Sequence, residues 1–170
     1  MENEWEVVNI RLVKEPSLYS EQILDSPQAV VELMAKELSQ YDREVFCILN
    51  MKNNGQIINM NLVSVGTINA SLVIPREVFK SSILANASAI IGLHNHPSGN
   101  VKPSKEDMIV TRKLQKCGQL LGIELLDHII VGGTNGKMLS FREEKMLNVT
   151  GRMGEMERSV SYTHLTLPTT

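Results

Sequence analysis

The sequence predicts a mixed α/β fold, a single and mostly antiparallel sheet flanked by helices. Three observations carry that prediction. Two β-rich runs are joined by an Asn-Gly turn, a short run from Ala89 to Leu93 is apolar without interruption, and segments of helical spacing alternate with the strands.

In chain order, Glu6–Lys14 alternates apolar and polar residues around Val8, Ile10 and Leu12, as an edge or lead-in strand would. Ser26-Pro27 starts a helix, with Ser as N-cap and Pro at the first helical position, and Val30, Leu33, Met34 and Leu38 form its apolar face. Arg43–Met51 and Gln56–Val65 read as strands, joined through Asn53-Asn54-Gly55, where Asn-Gly tolerates positive φ. Pro75–Asn86 reads as a helix that turns Val78, Phe79, Ile83 and Leu84 inward. Ala89–Leu93 fits a strand buried on both faces. Pro97, Gly99 and Pro103 then enforce a loop, and Ser104 opens a helix to about Leu121, with Ile109, Val110, Leu114 and Leu121 on its core side. Ile123–Val131 is a further strand, Gly132–Gly136 a turn and Lys137–Phe141 a closing strand. Ser140-Phe141-Arg142-Glu143 fits a capping box that starts a short final helix.

A chain of 170 residues can bury a full core as one domain. The net charge of −2, with Lys and Arg scattered, lacks the basic footprint of a nucleic-acid or acidic-lipid binder. Cys47 and Cys117 form no CxxC and suggest neither a zinc knuckle nor a disulfide framework. No apolar run reaches the length of a membrane span, and the opening Met1-Glu2-Asn3-Glu4 is acidic, unlike a signal peptide, so a reduced, cytoplasmic protein is expected.

The chemistry concentrates in His94-Asn95-His96-Pro97-Ser98-Gly99, followed by Ser104 and Asp107. Backbone alternation brings two imidazoles at i and i+2 to one side. A carboxylate eleven residues beyond His96 can fold back to complete a three-ligand set. Two His and one carboxylate, with a fourth position left to water, are what a catalytic zinc site needs. Ser104 and Asp107 also read as a helix N-terminal capping pair, and the two readings are compatible, because a helix start holds the carboxylate rigidly. A zinc hydrolase further needs a proton carrier. Glu44 opens an otherwise apolar strand, although strand logic alone favours a solvated strand-end charge beside Arg43. Asp127-His128 lies within an apolar strand, so a buried, hydrogen-bonded His is the first reading and support for the metal loop the sharper one. Gly132, Gly133 and Gly136 lack a phosphate-loop context and read as a turn.

The combination of HxH, seven residues, Ser, two residues and Asp, with a Glu on an upstream strand, resembles the motif of the JAMM (JAB/MPN-type) metalloproteases. HNHPSG…PSxED, the preceding PREVF and the later LLDHIIVGG resemble more narrowly the bacterial RadC-type branch, over about Ser26 to Leu147. The resemblance implies a cytidine-deaminase-like, JAB/MPN architecture. It implies one Zn(2+) per chain held by His94, His96 and Asp107, with Glu44 as general acid/base and Ser104 stabilising the oxyanion of a cleaved peptide or isopeptide bond. Residues 1–25 are then a lead-in segment and 26–150 the metalloprotease domain. Relatives often carry an N-terminal helix-hairpin-helix region, and too few residues precede the domain here to hold one. The expected partner is a protein or peptide substrate of unspecified identity, direct DNA binding is disfavoured by charge, and a homodimer stays open. Two rivals remain: a DNA-repair or mobile-element accessory protein with a structural or vestigial metal, and a metal-free scaffold.

Residues 151–170 read as a disordered tail. Within it Val160–Thr169 (VSYTHLTLPT) has no period and resembles the translation of a sequencing-library adapter, so 160–170 is taken as a non-native scar and His164 carries no weight.

Overall fold

The computed structural model describes residues 12, 27–66 and 73–147. The expected strand at Glu6–Lys14, apart from an exposed Leu12, and the tail lie outside the described residues, as does the side chain of Val30. Helix α1 spans Pro27–Leu38, strand β1 Val45–Met51, β2 Ile57–Val65, α2 Pro75–Leu84, β3 Ala89–Asn95, α3 Lys105–Leu121, β4 Glu124–Gly132 and β5 Lys137–Ser140. The strands form one sheet in the order β2-β1-β3-β4-β5. Only β3 and β4 run parallel; the other pairs are antiparallel, as the sequence predicts.

Strand parity sorts the core into two layers. Cys47, Leu49, Met51, Ala89, Ile91 and Leu93 pack against α1, while Phe46, Ile48 and Ile90 meet Val78 and Phe79 of α2 and Val110 and Leu114 of α3. β1 and β3 are buried along their whole length because helices cover both faces. His94 shares the parity of Ile90, so it belongs to the layer of α2 and α3.

Several helix faces differ from expectation. α1 turns Val31, Met34, Ala35 and Leu38 inward, a stripe at i, i+3, i+4 and i+7, and Leu33 lies at its margin. On α2 Val78 and Phe79 are buried with Ser81 and Ser82, whereas Ile83 is exposed. α3 buries Asp107, Val110, Thr111, Leu114, Gln115 and Gly118, leaving Ile109 and Leu121 in solvent. Gly118 lets the helix approach the following loop, since a Cβ there would collide with the Ile123 carbonyl oxygen.

The expected final helix is instead a single turn. The Glu143 amide donates to Ser140 Oγ, but Lys145 takes a left-handed φ of 56°. The Met146 and Lys145 amides close onto the Phe141 and Arg142 carbonyls, an ending that stops a helix.

One irregularity positions the site. In the β3–β4 ladder Ile90 pairs with Leu125 but Ile91 with Asp127, so β4 carries an extra residue. This bulge shifts the parity of everything after it and sets His128 opposite Gly92, on the α3 side. Gly92 makes room: a Cβ there would lie 3.2 Å from Phe46 Cζ and 3.6 Å from His128 Cδ2.

Candidate metal centre

The three expected ligands converge. His94 is the penultimate residue of the buried strand β3, and His96 follows just beyond its end, its amide continuing the ladder to Val131 O at 2.7 Å. Asn95, between them, points the other way. It accepts from the Val45 amide at 2.7 Å and donates to the Arg43 carbonyl at 3.0 Å, lacing the segment around Glu44 to the histidine pair. The loop then closes in a turn from the Gly99 amide to the His96 carbonyl, with Gly99 at φ 79° and Asn135 Nδ2 donating to the Gly99 carbonyl. Asp107 arrives from the first turn of α3. Ser104 N–H and Oγ–H both donate to Asp107 Oδ2 at 2.6 Å, and the Asp107 amide donates back to Ser104 Oγ, a complete capping box.

His94 Nε2 lies 2.9 Å from His96 Nε2 and 3.2 Å from Asp107 Oδ1, and His96 Nε2 is 3.5 Å from Asp107 Oδ2. A tetrahedral ion with bonds of roughly 2.0–2.1 Å sets its ligand atoms about 3.3 Å apart. The gaps between the imidazole nitrogens and to one or other carboxylate oxygen lie near that edge, and one ligand atom from each residue lies within 4.8 Å of the others, so His94, His96 and Asp107 can hold a metal ion. The His96 ring is also turned for the task. Its Nδ1 lies 2.6 Å from the Asn100 carbonyl, which can only accept, so Nδ1 carries the proton and neutral His96 presents a lone pair at Nε2. The His94 and Asp107 side chains are 1% and 3% exposed but that of His96 is 13%, so the centre opens to solvent on the His96 side.

Burial lowers the pKa of His94, outweighing the hydrogen bond and charge of Asp107. His96 is less enclosed: burial again lowers its pKa, but the Asp107 bond, the Asn100 carbonyl and the charges of Asp107 and Glu44 together raise it. Burial of Asp107 would raise its pKa, yet His94, His96 and Ser104 hold it well below the usual carboxylate range. The carboxylate is thus held as an anion by donors and positive charge around it, and a metal ion can supply that positive charge in place of protons on the rings.

Glu44 precedes β1 and is half-buried. Phe46 pairs with His94 at the end of the β1–β3 ladder, and Glu44 lies two residues beyond that end, as His96 does on the other strand. Its charge acts on both histidines. Ser104 sits at the helix cap, with its hydroxyl proton directed to Asp107.

Asp127 and His128 do not act as a pair. Asp127 accepts from Ser140 Oγ at 2.6 Å and from the His128 and Arg142 amides at 2.7 and 3.0 Å. His128, fully buried, places Nε2 2.8 Å from His94 Nδ1 and Nδ1 2.6 Å from Thr111 Oγ1. It is a core histidine, the first of its two readings, and its ring meets His94, one of the expected ligands. Thr111 and Asn95 are contributions the sequence reading missed. Thr111 had one available signal, its place four residues after Asp107 on the same helix face.

A family model, the RadC-like JAB domain, matches residues 24–146. The chain is 44% identical over 125 residues to a UPF0758 protein of Desulfitobacterium hafniense, covering 74% of this chain and 54% of that one. It is 44% identical over 128 residues to one from Moorella thermoacetica, at 75% and 55% coverage. A third, from the archaeon Methanosarcina acetivorans, is 45% identical over 119 residues, at 70% and 51%. The relatives thus reach beyond bacteria, and the chain spans about half the length of the curated relatives it matches.

Proposed function

The chain belongs to the RadC-like JAB domain family, and from that premise we propose that it is a zinc-dependent hydrolase of a peptide or isopeptide amide bond. The observation that carries this reading is the convergence of His94 Nε2, His96 Nε2 and an Asp107 carboxylate, with gaps of 2.9 to 3.5 Å, behind one solvent-facing side. Two imidazoles and one carboxylate make a donor set suited to zinc that leaves a position open for reaction. A bound zinc ion supplies Lewis acidity and lowers the pKa of water at that position.

The chain's own residues supply the rest. Glu44 takes up a proton at its carboxylate and returns it to the departing amine nitrogen. Ser104 Oγ–H donates to the carbonyl oxygen as negative charge develops there. That requires the hydroxyl to leave Asp107 Oδ2, which keeps the Ser104 amide as a donor when it does. His94 and Asp107, held by α3 and the sheet, fix the geometry.

The test is hydrolysis of a pool of internally quenched peptides by the purified protein. Cleavage that a chelator stops and zinc restores is expected; cleavage indifferent to chelation would contradict the reading. One observation favours the rival DNA-associated role, since Lys105, Arg112, Lys113 and Lys116 are all exposed along α3. Salt-sensitive binding to duplex DNA would support it.

A further inference from the structure

We propose that Thr111 and His128 are positioning residues that fix the tautomer of His94, keeping its Nε2 lone pair bare toward the metal. This rests on the metal-centre reading above and extends it from the three ligands to the side chains behind them.

Hydrogen-bond direction carries the inference. Thr111 has one hydroxyl proton, and Oγ1 donates it to the Asp107 backbone carbonyl at 2.7 Å, an atom that can only accept. Toward His128 Nδ1, at 2.6 Å, Oγ1 is therefore left to accept, which places a proton on Nδ1. His128 is fully buried between Phe46 and Phe141, with ring centroids at 5.5 and 4.7 Å, and Thr111 Oγ1 and His94 Nδ1 occupy its two nitrogens, so no carboxylate is bonded to the ring to support a charge there. It is neutral, so its Nε2 accepts from His94 Nδ1–H at 2.8 Å. His94 Nε2 then has no proton. It faces His96 Nε2, whose own partner Nδ1 donates to Asn100.

Two lone pairs thus point at one space beside a carboxylate, an arrangement that only a cation relieves. If Thr111 donated to His128 instead, every bond in the relay would reverse and a proton would sit on His94 Nε2, in the cation's place. Because the relay ends on the Asp107 carbonyl, it also links an imidazole ligand on the sheet to the residue that supplies the carboxylate on α3. The bulge in β4 is what makes it reachable, since without the parity change His128 would face α1.

The experiment combines two readouts on the chelator-stripped full chain. Nitrogen-15 correlation spectra of the histidine rings at neutral pH report the tautomer directly, and zinc titration reports affinity. The wild type is expected to show His94 protonated at Nδ1 and to bind one zinc. Thr111→Val, nearly isosteric, and His128→Phe, which keeps an aromatic ring, should each populate the other His94 tautomer or mix the two. Each should weaken zinc binding about 10- to 100-fold, while Thr111→Ser restores both. Variants that bind zinc like the wild type, or a stripped wild type protonated at His94 Nε2, would overturn the relay and leave the metal centre standing. Equal losses in Thr111→Val and Thr111→Ser would also overturn it, as a general packing effect. A wild type that takes up no zinc would remove both.

Discussion

Two buried carboxylates, Asp107 and Asp127, are treated in opposite ways by the fold. Asp127 meets donors only: a hydroxyl and two amides occupy its oxygens. Burial raises its pKa to about 6 against those bonds. Asp107 has a hydroxyl and an amide on Oδ2, but it also faces two imidazole nitrogens, and its pKa is held low. A carboxylate closed off by backbone and serine donors is architecture. One that faces two imidazole nitrogens and draws positive charge toward itself belongs to a group that can hold a metal ion.

The largest effect should separate the two outright. Asp107→Asn removes the anion while keeping the shape, and zinc binding and hydrolysis should both fall to background. Asp127→Asn should leave zinc stoichiometry at one per chain. Next in size is Glu44→Gln, expected to retain zinc and lose hydrolysis by about 10²- to 10⁴-fold, as read from metal content and cleavage rate on the same preparation; full activity would remove Glu44 from proton transfer.

Asp127→Ala should be a stability mutant instead. It orphans two buried donors and one partly buried amide, and with a penalty of about 1–3 kcal/mol for each buried donor before relaxation it should cost at least about 2 kcal/mol in urea unfolding. A loss under 1 kcal/mol would mean that water replaces the carboxylate.

The pH dependence of the metal-stripped fold gives a finer contrast, because the two shifts have opposite signs. Asp107 has a lowered native pKa, so its stabilisation is present above the ordinary carboxylate range and disappears as pH falls. Asp127 binds its proton more tightly when folded, so its contribution is present below pH 3.8 and is lost as pH rises through about 6. Asp107→Asn should remove the acid limb of the stability profile and Asp127→Asn the limb between about 4 and 6. Parallel profiles for the two variants would erase the distinction. The smallest effect is expected at Ser104→Ala, about 1 kcal/mol for a lost helix cap, measured by thermal or urea unfolding.

How much of this was legible in the sequence follows from how local each cause is. The Asn53-Asn54-Gly55 hairpin and the Ser104 cap were readable because neighbouring residues decide them, and Gly55 takes φ 84° as Asn-Gly turns do. The ligand triad was readable because i, i+2 spacing and a helix start need no knowledge of distant packing. Helix faces were less so: Ile83, Ile109 and Leu121 are apolar yet exposed, while Ser82, Thr111 and Gln115 are buried, since packing against the sheet, not residue type, chose the face. The β4 bulge was invisible, because a register shift exists only between two strands. His128 could not be assigned without it. The final helix failed for a local reason that a single sequence hides, the left-handed backbone at Lys145.

The most direct measurement is calorimetric titration of zinc into the chelator-stripped chain, alongside Asp107→Asn. One equivalent bound by the wild type and none by the variant is the predicted result. No uptake by the wild type, or uptake unchanged by the substitution, would contradict the assignment of His94, His96 and Asp107 as a metal centre.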